Sequence, residues 1–285
     1  QYSETDRQEI QRQITEQYLG DYTATWRGAM NNLDIRHFTD IPQAIGAIEQ
    51  VISGEQPLSR ALQILSDNTR LPVINHTLPA KAQQPLRDTP DYRLLVRINR
   101  EFAPETAVLV EYGDKNSTLQ GVYQKLIELH RYLLAIQNAP VPGKAALKAV
   151  QLRLEQNNSD PIFEVQQLAK NLPAPLNRWV GELAEQAWRV VMMAAVSSLE
   201  VEWSENVVKQ YQTYLAGRYP FNPEATQDVP LSEFDRFFRP GGTLDAFYQQ
   251  NLKPFVENNL IYGTDGEQLI RPDVLKQLTL ANRIR

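Results

Sequence analysis

The chain has 285 residues and a formal net charge of −5 at pH 7, and its hydrophobic residues outnumber its charged ones, 42% against 22%. This balance excludes wholesale disorder, and the acidic net charge argues against a general binder of nucleic acid or anionic membranes, which needs a basic face. Because the chain has no cysteine, it forms neither a disulfide nor a cysteine-based metal or nucleophile site, and its length suits one large or two ordinary domains.

Helical periodicity dominates the N-terminal part of the chain. Residues 4 to 31 favour a helix, and they carry one narrow apolar stripe that we expect to pack onto a neighbour. A second helix is predicted to begin at Asp40-Ile41-Pro42 and to end near Gly54, and a third covers Leu58 to Asn68, which makes an antiparallel pair. The stripe on the first helix consists of residues four apart: Ile10, Ile14, Tyr18, Tyr22 and Trp26.

Residues 69–116 interrupt this regular pattern. The stretch is rich in proline and carries two apolar runs, Leu94-Leu95-Val96 and Ala107-Val108-Leu109-Val110. We interpret it as a long loop with local structure, with room for a short strand pair that helices would have to cover. The fold class predicted for the chain is therefore mainly α, a multi-helix, bundle-like fold with one irregular insertion that is a candidate for β structure.

An internal boundary is predicted after the next helix. Helical periodicity runs from Thr118 to Asn138 and stops at Ala139-Pro140-Val141-Pro142-Gly143, the strongest breaker in the interior of the chain. We therefore predict a helical domain over residues 1–138, which contains the insertion, and a second helical domain over residues 139–285.

The second predicted domain is built around one long helix. This helix runs from near Pro175 to about Leu215, and its centre, Trp188 to Leu199, is apolar nearly all round, as expected for a buried central helix. The longest apolar run, Val190 to Val196, is far shorter than the ~20 residues that cross a bilayer. The sequence therefore predicts no membrane span.

Residues 219–255 are the most informative stretch, because aromatic side chains there are punctuated by prolines and a glycine pair. Tyr219-Pro220-Phe221 ends the long helix, since proline lacks a backbone donor and pushes the residue before it out of the α region. Ser232 is then a predicted N-cap, and Gly241-Gly242 breaks the short helix that follows. One face of that helix, at spacings of three and four, carries Leu231, Phe234, Phe237 and Phe238.

Two interpretations of this segment stay open. In the first, its aromatic side chains are local core that fixes the fold and touches no partner. In the second, exposed members of the group Tyr219, Phe221, Phe237 and Phe238 grip a partner segment in a groove, so burial of all four would exclude that version. The candidate structural or interaction residues are Tyr219, Pro220, Phe221, Phe234, Phe237, Phe238, Gly241 and Gly242.

The sequence carries no recognisable catalytic pattern. Its three histidines, His37, His76 and His130, lie far apart, and neither an HExxH pair, a phosphate-binding loop nor a GxSxG elbow occurs. Glu202 and Glu205 can share a helical face, which indicates a solvated acidic face rather than an acid/base pair. We therefore expect no enzyme, no catalytic residue, no cofactor and no metal site, and neither a nucleic acid nor a small-molecule substrate as partner.

The late aromatic pattern, from Tyr219-Pro220-Phe221 to Pro254-Phe255, resembles the C-terminal region of the IcmF/TssM proteins of bacterial type VI secretion. An early segment, Tyr18-Leu19-Gly20-Asp21-Tyr22 followed by Trp26, is also similar to that family. Together the two segments bracket most of the chain. Between its two ends, the late pattern comprises Asp228, Leu231, Phe234, Phe237-Phe238, Gly241-Gly242, Leu244, Phe247 and Leu252.

The resemblance implies the periplasmic portion of a bacterial inner-membrane protein that joins the secretion apparatus to the outer-membrane lipoprotein TssJ. It also implies contacts with other copies of the same chain and, in the full-length protein, with the inner-membrane component TssL. The family's transmembrane helices, NTPase-like domain and terminal β-rich domain are not visible in the sequence, so we expect an internal piece whose contact with TssJ lies mainly in that β-rich domain.

Two functions compatible with this pattern remain. The first is a structural scaffold, in which identical copies pack through extended helical faces and link inner-membrane and outer-membrane components through the periplasm. The second is a monomeric helical adaptor that binds a partner segment in an aromatic groove. Self-association distinguishes the first from the second.

Overall fold

The computed structural model describes residues 3–71, 87, 89–111, 117–156, 160–258, 270, 272–274 and 276. This described part is all-α and contains no strand, only one isolated parallel bridge between Tyr219 and Asp228. The predicted mainly α class is therefore confirmed. None of the described helices combines the length and the apolar composition that a membrane crossing requires.

The described helices occur along the chain in the following order. The elements before the predicted internal boundary are α1 (Glu4–Asn31), α2 (Ile41–Ile52), α3 (Pro57–Thr69), α4 (Pro90–Glu101), α5 (Ala103–Ala107) and α6 (Thr118–Gln137). Those after it are α7 (Pro142–Gln156), α8 (Pro161–Lys170), α9 (Leu176–Trp203), α10 (Lys209–Tyr214), α11 (Leu231–Phe238), α12 (Thr243–Phe247) and α13 (Lys253–Glu257), with two π-helical segments at Ser204–Val208 and Tyr248–Leu252.

The chain forms two compact units that do not follow sequence order. The first comprises Gln1–Phe38, Ile45–Arg131 and Pro161–Gln186, and the second comprises Thr39–Ala44, Tyr132–Asp160 and Ala187–Arg285. The division into domains at residues 138 and 139 stays a prediction.

The first unit has its core on α3, α6, α8 and the beginning of α9. Leucine, isoleucine and valine at helical spacing are removed from water there, each burial contributing ~1.5–3 kcal/mol. In contrast, α1 buries only Thr23 and Met30, although its beginning is well defined by a capping box between Ser3 and Asp6. The buried core side chains include Leu58, Leu62, Leu65, Val122, Leu126, Leu129, Ile162, Val165, Val180 and Leu183.

The extended segment that follows α1 is attached to the first turns of α9. Arg178 donates to the carbonyl oxygens of Asn31 and Leu33 at 2.9 and 2.8 Å and also pairs with the Asp34 carboxylate. The backbone N–H of Phe38 donates to the side-chain oxygen of Gln186 at 3.0 Å. Because the segment is not helical, its backbone groups lack helical hydrogen bonds, and these side chains supply partners for some of them.

The prediction of an irregular insertion over residues 69–116 is wrong for the part that the structure describes, because this part contains two helices. The run Leu94-Leu95-Val96 lies inside α4, and Ala107 ends α5, so neither forms a strand. Thr89 caps α4 by accepting from the N–H of Tyr92 at 3.2 Å, and Pro90 occupies the first turn, where its missing donor costs nothing. Residues 72–86, 88 and 112–116 lie outside the described residues.

The long helix of the second predicted domain is confirmed, with one refinement. It extends from Leu176 to Tyr214, but the Ser204–Val208 turn is wound as a π-helix. Its centre is not apolar and buried all round, because Met193 is 50% exposed while Val190, Val191 and Ala195 are buried. Inside the second unit, α7 approaches this helix closely, since a Cβ on Gly143 would lie 3.2 Å from the Cβ of Ser198.

Candidate interaction site

Five aromatic rings of the second unit pack against one another and form what we call the aromatic cluster: Tyr211, Phe221, Phe234, Phe237 and Phe238. Phe238 lies at the centre, with ring-centroid distances of 4.8 Å to Phe234, 5.0 Å to Phe237 and 5.8 Å to Phe221. Tyr211 meets the ring of Phe221 edge-on at 5.6 Å and lies 6.0 Å from Phe237. Such contacts stabilise beyond area burial by ~0.5–1.5 kcal/mol each.

A short loop brings Phe221 to the cluster. The backbone N–H of Tyr219 donates to the carbonyl of Gln227 at 2.9 Å, and the N–H of Val229 donates to the carbonyl of Tyr219 at 3.0 Å. The chain therefore returns on itself between these residues, and the peptide bond before Pro220 is cis. Tyr219-Pro220-Phe221, where the sequence predicted the end of the long helix, begins a loop that these backbone hydrogen bonds close.

Each position of the glycine pair after α11 requires glycine for a different reason. Gly241 has a φ of +73°, a conformation that L side chains rarely adopt, and its N–H donates to the carboxylate of Asp245 at 2.7 Å. Gly242 is enclosed instead, because a Cβ there would lie 2.6 Å from the carbonyl oxygen of Arg236 and 2.9 Å from that of Arg239. The turn fixes the direction in which α12 leaves the cluster.

Exposure separates the predicted site residues into three groups. Phe237 and Phe238 are buried, at 5% and 8% exposure. Phe221, Phe234 and the other cluster ring, Tyr211, are half-buried. The remaining candidates differ among themselves: Gly242 is buried, whereas Tyr219, Pro220 and Gly241 are exposed, Tyr219 at 53%.

Two local expectations for this segment are wrong. Leu231 was expected on the aromatic face, but it is 81% exposed because α11 begins at this residue and its first turn extends past the cluster. Pro230 rather than Ser232 occupies the N-cap position of α11, without a side-chain cap. At the next helix, Gly242 occupies the N-cap position of α12, and the hydroxyl of Thr243 donates to the side-chain oxygen of Gln210 at 3.0 Å.

Tyr211 is the cluster member that sequence reasoning missed. It lies on α10, before the proline break, and so outside the stretch that the aromatic composition singled out. A usable signal was present, because Val207, Tyr211 and Leu215 are four apart and the first and third are 2% and 1% exposed.

The titratable residues that the sequence raised as catalytic candidates lie apart. His37 is exposed, His130 is half-buried, and His76 is outside the described residues. The half-buried Glu202 pairs with Lys144 at 2.6 Å, and the exposed Glu205 pairs with Lys209 at 3.1 Å, so each carboxylate forms an ion pair with a lysine. Across the residues that the structure describes, no three acidic or histidine side chains meet as metal ligands.

The geometry thus defines an all-α protein whose distinctive site is a packed aromatic cluster closed by a glycine turn. Residues 194–274, which contain the cluster, match the family model described as the type VI secretion protein IcmF helical domain. Residues 1–70 match the IcmF-related model, described as intracellular multiplication and human macrophage-killing. The chain belongs to the IcmF/TssM family.

Individual relatives agree with this membership. The chain is 22% identical over 273 residues to the type VI secretion system component TssM1 of Pseudomonas aeruginosa, which covers 85% of this chain and 24% of the relative. A chain of a type VI secretion system membrane core complex has the same fold, with a TM-score of 0.64 at 20% identity over 88% of this chain and 50% of its own. A chain of a type VI membrane complex gives a TM-score of 0.63 at 18% identity, over 86% and 46%. The chain therefore spans about a quarter of the curated relative and about half of the solved chains.

Proposed function

We propose that this chain is a structural scaffold segment of a type VI secretion membrane complex, and that it links inner-membrane and outer-membrane components through the periplasm by protein–protein contacts. Family membership supports a role in that complex, because the relatives with the same fold belong to type VI membrane assemblies. The role is mechanical and not catalytic. Its partners are other copies of the chain and, through other parts of the whole protein, TssJ and TssL.

The observation that carries the scaffold proposal is the exposed first half of α1. Residues 3 to 14 are all exposed, so three turns of this helix pack on none of the other described residues. The described contacts that anchor the helix lie further along, where Arg97 forms a two-pronged ion pair with Glu16 at 2.7 and 2.8 Å and the Tyr22 hydroxyl donates to the carbonyl of Asn68 at 2.7 Å. A helix that packs on nothing is marginal in water, which favours a covering partner.

The exposed half of α1 carries an apolar ridge suited to such a partner. Ile10, Ile14 and Tyr18 follow one another at spacings of four and are 41%, 63% and 50% exposed. The ridge continues into the aromatic pair Tyr18 and Tyr22, whose rings stack at 5.8 Å. Contiguous apolar surface of this kind marks protein–protein contacts, and single scattered side chains do not. We assign the ridge to contact with another copy of the chain.

Sedimentation velocity across a concentration series tests this assignment. The parent chain is expected to self-associate, and the double variant Ile10→Glu/Ile14→Glu is expected to stay monomeric. The matched control, Thr5→Glu/Gln8→Glu, adds the same charge at exposed positions of the same helix, on the side away from the ridge. A parent that is monomeric at every concentration, or a ridge variant that associates as the parent does, would contradict the proposal.

The alternative function, a monomeric adaptor with an aromatic groove, has a narrower basis. Phe237 and Phe238 are buried among other rings, so they cannot line an open groove. Tyr219 and the half-buried Phe221 remain available. If the parent chain is monomeric and Tyr219→Ser abolishes capture of the lipoprotein TssJ while Tyr214→Ser does not, the adaptor replaces the scaffold.

A further inference from the structure

A second feature of the second unit is an apolar cavity of about 250 Å³ that opens to solvent beside the long helix. One wall is a single face of α9, formed by Val196, Leu199 and Trp203 at spacings of three and four. The opposite wall contains Phe247 and Leu252. The cavity is larger than the ~150 Å³ space that holds a benzene molecule in an engineered protein core, so it accommodates one large apolar side chain.

Both π-helical segments border this cavity. Ser204 and Val208 are the first and last residues of one segment, Leu252 is the last residue of the other, and all three line the space. The residues that immediately precede the two segments, Trp203 and Phe247, are in contact, with their rings edge-on at a centroid distance of 5.1 Å. A π turn is rare and is frequently found at functional sites. Two such turns around one space therefore support a site at this cavity.

The rim of the cavity is acidic. Glu200 and Asp273 line it and are exposed, and the described lining residues include neither lysine nor arginine. An apolar cavity with carboxylates at its edge attracts an apolar side chain that has basic neighbours.

We propose that this cavity is a docking site for a segment of a partner protein that inserts one large apolar or aromatic side chain next to a lysine or arginine. The apolar side chain fills the space between the two π segments, and the basic neighbour meets the exposed carboxylate of Glu200. This surface is separate from the ridge on α1, so it adds a second contact to the scaffold and does not depend on self-association.

Short peptides test the chemistry directly. The probes are Ac-Lys-Ala-Phe-Ala-Lys-amide, Ac-Glu-Ala-Phe-Ala-Glu-amide and Ac-Lys-Ala-Ala-Ala-Lys-amide, each titrated into the ¹⁵N-labelled chain while the indole N–H signal of Trp203 is followed by NMR. The basic phenylalanine peptide is expected to give a saturable shift. The acidic peptide and the peptide without phenylalanine are each expected to bind at least tenfold more weakly.

Two variants with matched controls locate the binding. Val208→Phe fills the cavity and is expected to abolish the shift, whereas Val201→Phe, at a position 58% exposed and outside the lining, is expected to preserve it. Glu200→Lys reverses the charge of the rim without touching the core and is expected to weaken the basic peptide at least fivefold, with Glu224→Lys as the control of equal charge change. Because Glu200 is exposed, this second variant tests the proposal even if the first does not fold.

Three results would overturn the proposal. The absence of a saturable shift with the basic phenylalanine peptide would show that the cavity is not a docking site. Equal binding of the acidic peptide would show that the partner need not be basic. If Val208→Phe lowers self-association in the ultracentrifuge while the α1 ridge variant does not, the cavity belongs to a second copy of the chain and the partner assignment is wrong.

Discussion

The indole nitrogen of Trp179 donates a hydrogen bond to the carbonyl oxygen of Leu33 across 2.7 Å, which joins the start of α9 to the extended segment after α1. Trp179 is 2% exposed whereas Leu33 is 45% exposed, so this bond is partly buried at the edge of the first unit. Arg178, the preceding residue, binds the same carbonyl at 2.8 Å. Two adjacent side chains thus hold one backbone group, and the path that the chain follows from α1 towards α2 depends on them.

Replacing Trp179 by phenylalanine should destabilise the first unit. The variant loses a partly buried hydrogen bond and part of a buried ring, for a total of roughly 2 kcal/mol in the free energy of unfolding. Trp26→Phe makes the same chemical change at a half-buried indole, for which the described structure shows no hydrogen bond. Urea unfolding should give a lower midpoint for Trp179→Phe than for this control, and equal midpoints would contradict the role of the bond.

Phe238 should be the most costly residue of the aromatic cluster to truncate. It is 8% exposed and its ring contacts three others, so Phe238→Ala leaves a cavity and should lower the free energy of unfolding by roughly 3–5 kcal/mol. Leu231→Ala, on the same helix but 81% exposed, should change it by less than ~0.5 kcal/mol. Thermal unfolding measures both, and a Phe238→Ala variant that melts with the parent would show that the cluster is not core.

Gly242 should tolerate no side chain. An added Cβ would lie 2.6 Å from a backbone oxygen, so the turn must move, and we expect Gly242→Ala to cost about 1–3 kcal/mol. Gly217→Ala is the matched control, because nothing lies within 4 Å of a Cβ built there. If differential scanning calorimetry finds the two variants equally stable, the close approach at Gly242 does not constrain the turn.

Tyr132 should make the second unit sensitive to alkaline pH. Burial, reinforced by the negative charge of Asp160, raises the pKa of Tyr132 to about 12. The folded protein therefore retains this proton when the unfolded chain, with a tyrosine pKa of about 10, has lost it. Stability falls as pH rises from about 10 to 12, by about 1 kcal/mol, because the ring is only partly buried.

Urea unfolding at pH 8, 10 and 12 checks this dependence. Tyr132→Phe should unfold with a shallower loss of stability above pH 10 than the parent. The exposed Tyr214→Phe should retain the parent's slope. Identical slopes for Tyr132→Phe and the parent would assign the alkaline sensitivity to other groups.

Much of the helical architecture could be predicted from apolar periodicity, and the misses have definite physical causes. The predicted first helix, residues 4 to 31, coincides with α1, because its stripe repeats without a breaker. In α4 the many neighbouring prolines suggested a loop, yet Pro90 lies in the first turn, where proline is compatible with a helix. The sequence feature that indicates α4 is the four-residue spacing of Ile98 and Phe102, both of which are almost fully buried.

The aromatic segment shows what sequence spacing cannot supply. Leu231 and Phe238 both fit the helical face that periodicity defines, but only the second is buried, because burial depends on where the partner rings end. The π turns at Ser204–Val208 and Tyr248–Leu252 were also out of reach, since a helix with one wider turn has nearly the same apolar pattern as a regular one. Tertiary packing selects these features.

The most direct test of the scaffold is cross-linking of the full-length protein in intact cells. These 285 residues contain no cysteine, and any cysteine elsewhere in the full-length protein is first replaced by serine. Ile14→Cys then places a single thiol on the α1 ridge, and Leu231→Cys places one at a position that is 81% exposed. A membrane-impermeant maleimide should label Leu231→Cys. An impermeant bis-maleimide should convert Ile14→Cys into a species of twice the mass, and Gln8→Cys, on another side of the same helix, should give much less of it. If Leu231→Cys is labelled only after the inner membrane is opened, or if Ile14→Cys stays a monomer, the chain is not a periplasmic scaffold that contacts its own copies through α1.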